Sequence, residues 1–217
     1  MKVFFDMDGV LVDFASGAAD GIMAAIEAGD TSSKNIRRLI NYDAPDKELP
    51  ITAEYIETIT GIKDAKGERT QWMKRVGNAV FTIVGSGGHS YWSSLPSLPG
   101  FQQMIEHAQD LVGVENVYVC TAPVQDKTGG CESGKRQWIA DNTSIPANQV
   151  YVTEDKPGVL GDFPGETCIL IDDRTKYCDA WKQGGGIAIR HAPPATMATV
   201  QDTLSQLNLI VNSTDSE

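Results

Sequence analysis

Apolar residues cluster in short runs that stop at charge or glycine. Residues 2–5, 116–121, 149–153, 167–171 and 186–190 are each rich in Val, Ile, Tyr or Phe, as expected of strands buried on both faces of a parallel sheet. Between the later runs, residues 101–111, 131–141 and 175–183 place apolar positions at helical spacing, and 195–207 reads as a closing helix. Strand-helix alternation of this kind predicts an α/β fold, a doubly wound parallel sheet of Rossmann type.

The rhythm breaks between about residues 13 and 95. Residues 15–28, 53–59 and 71–84 are helical in pattern, with no strand among them. The expectation is a core made of residues 1–13 and 96–217, with residues 14–95 inserted as a helical cap that controls access. The exit Leu95-Pro96-Ser97-Leu98-Pro99-Gly100 is rich in proline, which stops one element before the next begins. Residues 85–88 read as a glycine loop that allows cap motion, and residues 212–217 as a frayed tail.

Composition narrows the functional classes. The 217 residues are 41% hydrophobic and 22% charged, enough for a real core, with no apolar run able to cross a bilayer. A net charge of −11 with scattered basic residues argues against a nucleic-acid duplex as partner and equally against a membrane surface. Cys120, Cys131, Cys168 and Cys178 form no paired-cysteine motif, which suits a reducing cytoplasm, and nothing in the pattern speaks against a homodimer. An acidic protein that handles an acidic substrate needs local positive charge, from a metal or from placed lysines.

Carboxylates gather at two strand ends. Asp6-Met7-Asp8-Gly9 follows the first apolar run, and Asp172-Asp173-Arg174 follows the fourth. Open α/β sheets bind ligands at the carboxyl ends of their strands, and alternation along the strand sends positions 6 and 8 the same way. Such carboxylates would repel one another without a cation, and an all-oxygen donor set suits Mg²⁺. Thr121-Ala122-Pro123 ends the second run with a hydroxyl and a loop N–H, and Lys135 adds positive charge near a helix start, both suited to an anion.

Asp-x-Asp, Thr, Lys and Asp-Asp, in this order and at these places, resemble the haloacid dehalogenase (HAD) superfamily. The resemblance implies that Asp6 is a nucleophile forming an aspartyl-phosphate, that Asp8 is the acid and base, and that Asp6, the Asp8 carbonyl, Asp172 and Asp173 hold Mg²⁺. More narrowly, residues 5–14 (Phe5-Asp6-Met7-Asp8-Gly9-Val10-Leu11-Val12-Asp13-Phe14), the 95–100 exit, Thr121-Ala122-Pro123, Asp155-Lys156 and Ile171-Asp172-Asp173-Arg174 are similar to segments of the 5'(3')-deoxyribonucleotidase family. That implies hydrolysis of a small phosphomonoester, a deoxyribonucleoside 5'-monophosphate. Thr121, Ala122, Lys135 and Lys156 would then surround the phosphate, and Phe14 would line a nucleoside pocket. Ala122 stands where that family has a hydroxyl donor, and Pro157 where it has Thr.

Rival readings are a sugar-phosphate phosphatase or phosphomutase of the same superfamily and a non-catalytic phosphoester-binding module. Residues 129–135 have the Gly-x-x-x-x-Gly-Lys spacing of a P-loop, but Arg136 replaces the required Ser or Thr and no strand leads directly into the loop. Trp72, Trp138 and Trp181 read as packing residues. Trp92, beside Tyr91 at the cap exit, is placed to stack on a base. His89, His107 and His191 lack metal-ligand spacing.

Overall fold

The computed structural model describes residues 1–30, 34–40, 51–61, 71–124 and 129–214. In chain order the elements are β1 (Lys2–Phe5), α1 (Phe14–Glu27), α2 (Lys34–Ile40), α3 (Ala53–Gly61), α4 (Gln71–Ser86), α5 (Gly88–Ser93) and α6 (Phe101–Val112). They continue with β2 (Val117–Thr121), α7 (Gly130–Asn142), β3 (Val150–Val152), β4 (Cys168–Asp172), α8 (Thr175–Gln183), β5 (Ile187–Arg190) and α9 (Met197–Thr214). The chain divides into two compact units. One comprises Met1–Asp13, Ser97–Pro123 and Arg136–Glu217; the other comprises Phe14–Pro96 and Val124–Lys135.

The first unit is built on a five-stranded sheet, among the described residues, in the order β3-β2-β1-β4-β5 with every pairing parallel. From β1 the chain winds outward through β2 and β3, then returns to the other side for β4 and β5. The direction reverses between β1 and β4, where open α/β sheets leave a crevice for ligands. Because successive strand side chains alternate faces, Phe4, Cys120 and Leu170 share one face. There they pack with Trp181 of α8 and with Tyr118, Tyr151 and Phe163. The rings of Phe4 and Tyr118 stack with centroids 5.0 Å apart, and Trp181 lies 5.2 Å from Phe4.

The second unit, as far as it is described, is helical. Helices α1, α3 and α4 pack together, with α2 against α4. Ile22, Ile36, Ile56 and Val80 are buried. No helix among the described residues is long and apolar enough to cross a membrane.

The expected α/β architecture is present, with strand ends moved by one residue at most places. Two local expectations are corrected. Residues 85–88 form no open loop, since α4 runs through Ser86 and α5 starts at Gly88, leaving only Gly87 between them. Gly87 fits there because a Cβ would lie 2.6 Å from that of Tyr91. Residues 212–214 continue α9 rather than fray, with Val211 buried in its last turns, while 215–217 lie outside the described residues. The short helices α2 and α5 carried too few apolar repeats to register as periodic. Trp138 and Trp181 are buried packing residues, and the side chain of Trp72 lies outside the described set. His191 is buried against Thr203, Nδ1 to Oγ1 2.9 Å, and burial lowers its pKa.

Phe4 is the hub of the aromatic face. Replacing Phe4 by Ala should lower unfolding free energy by about 3–5 kcal/mol, as emptied core aromatic sites do. Urea denaturation of the two proteins measures this, and a loss below about 1 kcal/mol would contradict the packing described.

Candidate active site

Asp6 stands one residue beyond β1, and its N–H donates to the Ile171 carbonyl of the neighbouring β4 (2.8 Å). The chain then turns tightly. The N–H groups of Leu11 and Val12 both donate to the Met7 carbonyl (2.8 and 3.0 Å), and Gly9 N–H donates to the Val12 carbonyl (2.9 Å). Gly9 adopts φ +78°, and a Cβ there would fall 2.7 Å from Asp173 Oδ2. Only glycine allows both the backbone conformation and this approach.

The turn and the end of β4 bring three acids together. Asp6, Asp172 and Asp173 each offer a carboxylate oxygen within 4.8 Å of the others. Met7 N–H donates to Asp6 Oδ1 (2.8 Å), and Arg174 N–H donates to Asp172 Oδ1 (2.8 Å). Lys156, fully buried, places Nζ 2.9 Å from Asp6 Oδ1 and 2.6 Å from Asp172 Oδ2. Tyr177 supports the same ammonium, with its ring centroid 4.5 Å away.

Charge in this cluster does not balance, because one ammonium faces three carboxylates. Burial opposes the charged form of Lys156, but Asp6 and Asp172 outweigh it and raise its pKa above that of an ordinary lysine. Burial, and then Asp6, push Asp172 up to about 6 against the opposing pull of Lys156. Burial, Asp6 and Asp172 together hold Asp173 well above the usual carboxylate range. Asp173 Oδ1 is buried with no hydrogen-bond partner among the described residues. Surplus negative charge, oxygen-only donors and an unsatisfied buried oxygen fit a hard divalent cation such as Mg²⁺.

Beside this cluster, Thr121 ends β2 fully buried, its carbonyl accepting from Thr153 N–H (2.8 Å); half-buried Ala122 follows it. Asp8, half-buried, lies on the turn between Met7 and Gly9, two residues beyond Asp6. Cys120 is no rival nucleophile, since burial pushes its thiol up to about 12.

An Asp-x-Asp turn and an acidic pair thus flank the switch point of a sheet ordered 3-2-1-4-5, bridged by a buried lysine. The architecture is an open, all-parallel α/β fold of the doubly wound Rossmann type, as the sequence led us to expect. No protein-family model matches the chain. It is 23% identical over 175 residues to the cytosolic type of 5'(3')-deoxyribonucleotidase from Homo sapiens, covering 80% of this chain and 71% of that protein. Among solved structures, a haloacid dehalogenase-like hydrolase from Streptococcus pneumoniae superposes with TM-score 0.44 at 14% identity, covering 87% of this chain and 83% of that one. CbbY from Rhodobacter sphaeroides, in complex with phosphate, gives 0.42 at 15% identity over 90% and 87%.

The remaining expected site residues, Phe14, Trp92 and Lys135, belong to the helical unit and come together there. Trp92 is fully buried, and its ring stacks on Phe14 at 6.1 Å with the planes 19° apart. Lys135 is also fully buried, with Nζ 5.2 Å from the Trp92 centroid. Phe14 and Lys135 thus lie against the Trp92 ring. Sequence reasoning passed over Tyr177, whose position in the first turn of α8 carries no motif. It also placed Lys156 only near the phosphate, whereas Lys156 joins the two acidic segments.

Removing that lysine tests the charge balance directly. Lys156→Met should destabilise the metal-free protein by about 3–5 kcal/mol, the effect of breaking a buried ion pair on one side. Adding Asp172→Asn should recover part of the loss. Equal stability of wild type and Lys156→Met in denaturant titrations would contradict the pairing.

Proposed function

We propose that this chain is a Mg²⁺-dependent phosphoric monoester hydrolase of the 5'-nucleotidase kind, acting on nucleoside monophosphates and preferring deoxyribonucleoside 5'-monophosphates. The observation that carries the reading is Asp6, its Oδ1 held by Met7 N–H and Lys156, beside the Asp172–Asp173 pair at the sheet's switch point. Two donors on one oxygen fix the rotation of the carboxylate, which favours attack along one line.

In the first step a carboxylate oxygen of Asp6 attacks phosphorus, the ester P–O bond breaks, and Asp8 gives its proton to the leaving oxygen. In the second step Asp8 takes a proton from water, the water oxygen attacks phosphorus, and the bond to Asp6 breaks to release inorganic phosphate. Thr121, the loop N–H groups near Ala122 and Lys135 hold the phosphoryl oxygens, while Lys156 holds Asp6 in place. Asp6, the Asp8 carbonyl, Asp172 and Asp173 would hold Mg²⁺, which when bound offsets charge on the phosphoryl group.

The nucleotide preference draws support from the similarity to a 5'(3')-deoxyribonucleotidase and from half-buried Phe14 at the start of α1. We assign residues 14–95 the role of a cap that selects the substrate. Buried Cys120, Cys131, Cys168 and Cys178 favour a reducing compartment, the cytoplasm.

Asp6→Asn should keep its circular dichroism spectrum while turnover drops at least about 10³-fold, given the rate enhancement that phosphate-ester hydrolysis demands. Near-normal activity in that variant would rule out the covalent route. With wild type, phosphate release from a panel of deoxy- and ribonucleoside monophosphates and sugar phosphates should be greatest for the deoxynucleotides and should cease in EDTA. Release from sugar phosphates alone would remove the nucleotide assignment and leave the phosphatase.

A further inference from the structure

We propose that Trp92 is a positioning residue, whose indole face holds the buried Lys135 ammonium in the orientation that receives phosphate. This rests on the reading of Lys135 as a phosphate-binding residue and adds to it the group that aims the lysine. A lysine has four rotatable side-chain bonds and a compact charge, so it needs an outside support to act as a fixed donor.

The support is an aromatic column within the helical unit. Lys135 Nζ lies 5.2 Å from the Trp92 centroid, inside the range of a cation–π contact. Trp92 stacks on Phe14, which stacks in turn on Phe81 (5.7 Å, planes 24° apart), and Tyr91 meets Trp92 edge-on at 5.1 Å. The Trp92 Nε1–H is buried and makes no hydrogen bond among the described residues. What holds the indole, and what it offers, is therefore its π system.

Two glycines set the helix that carries Lys135 against this column. A Cβ at Gly130 would lie 2.5 Å from His89 N and 2.7 Å from Gly88 Cα, and one at Gly134 would lie 2.5 Å from both His89 O and Trp92 Cβ. Positions four apart share a helix face, so α7 meets α5 backbone to backbone, and Lys135 follows directly. His89 Nδ1 and Ser133 Oγ, 3.0 Å apart, link the same two helices. Gly130 and Gly134, inside the stretch whose spacing resembles a P-loop, thus serve here as the close-approach seam of a lysine platform, a use in which Gly129 has no part.

Fluorination of the indole weakens its π face with little change in shape, so it separates positioning from packing. Tryptophans bearing one, two and three ring fluorines would be placed at position 92 alone. The Mg²⁺-loaded proteins would then be assayed for inhibition by inorganic phosphate, for KM and kcat, and for Tm. Phosphate affinity should fall stepwise with each fluorine, by about two- to tenfold across the series, while Tm stays close to wild type. Trp92→Phe should fall within that range. A flat phosphate affinity across the series, in a protein where Lys135→Gln weakens phosphate binding, would overturn the role given to Trp92 and leave Lys135 as a phosphate ligand. Unchanged phosphate affinity in Lys135→Gln would overturn the assignment of Lys135 and this proposal with it.

Discussion

A lysine ammonium buried between two carboxylates ties β1 to β4. Lys156 lies 2.9 Å from Asp6 and 2.6 Å from Asp172, and none of these groups has enough water around it to be solvated independently. Each charge is tolerable only because the others are present. The ion pair therefore ties the two strand ends together through one buried ammonium. The remaining acid, Asp173, lies outside this balance, and its unsatisfied Oδ1 is what makes the cluster receptive to a cation.

The sheet order turns that local balance into a site. Because β1 is central and winding reverses beside it, the ends of β1 and β4 open on one crevice, with the end of β2 on the other side of β1. The aromatic face around Phe4 packs on the same strands, β1, β2 and β4, that carry these ends. Gly9 completes the closure, since any side chain there would meet the Asp173 carboxylate.

The helical unit solves a related problem by different means. Lys135 is as buried as Lys156, and its ammonium lies over an indole ring of its own unit. A π face attracts an ammonium without neutralising it. One buried lysine thus meets two carboxylates and the other lies over an indole face.

The five strands, the helices between them and the acidic strand ends were legible in the sequence because each leaves a local mark: a short β-branched or aromatic run, a 3.6-residue period, or a carboxylate where an apolar run stops. Asp6, Asp8, Asp172 and Asp173 could be singled out on that basis before any coordinates. The partners of the lysines could not. Lys156 joins residues 150 and 16 positions away, Lys135 rests on a ring 43 positions earlier, and Trp92 packs against Phe14, 78 positions before it. Residue type and spacing along the chain determine which groups stand at the strand ends. Which charge meets which carboxylate or ring depends on close packing between segments remote in sequence, and only the tertiary structure decides that.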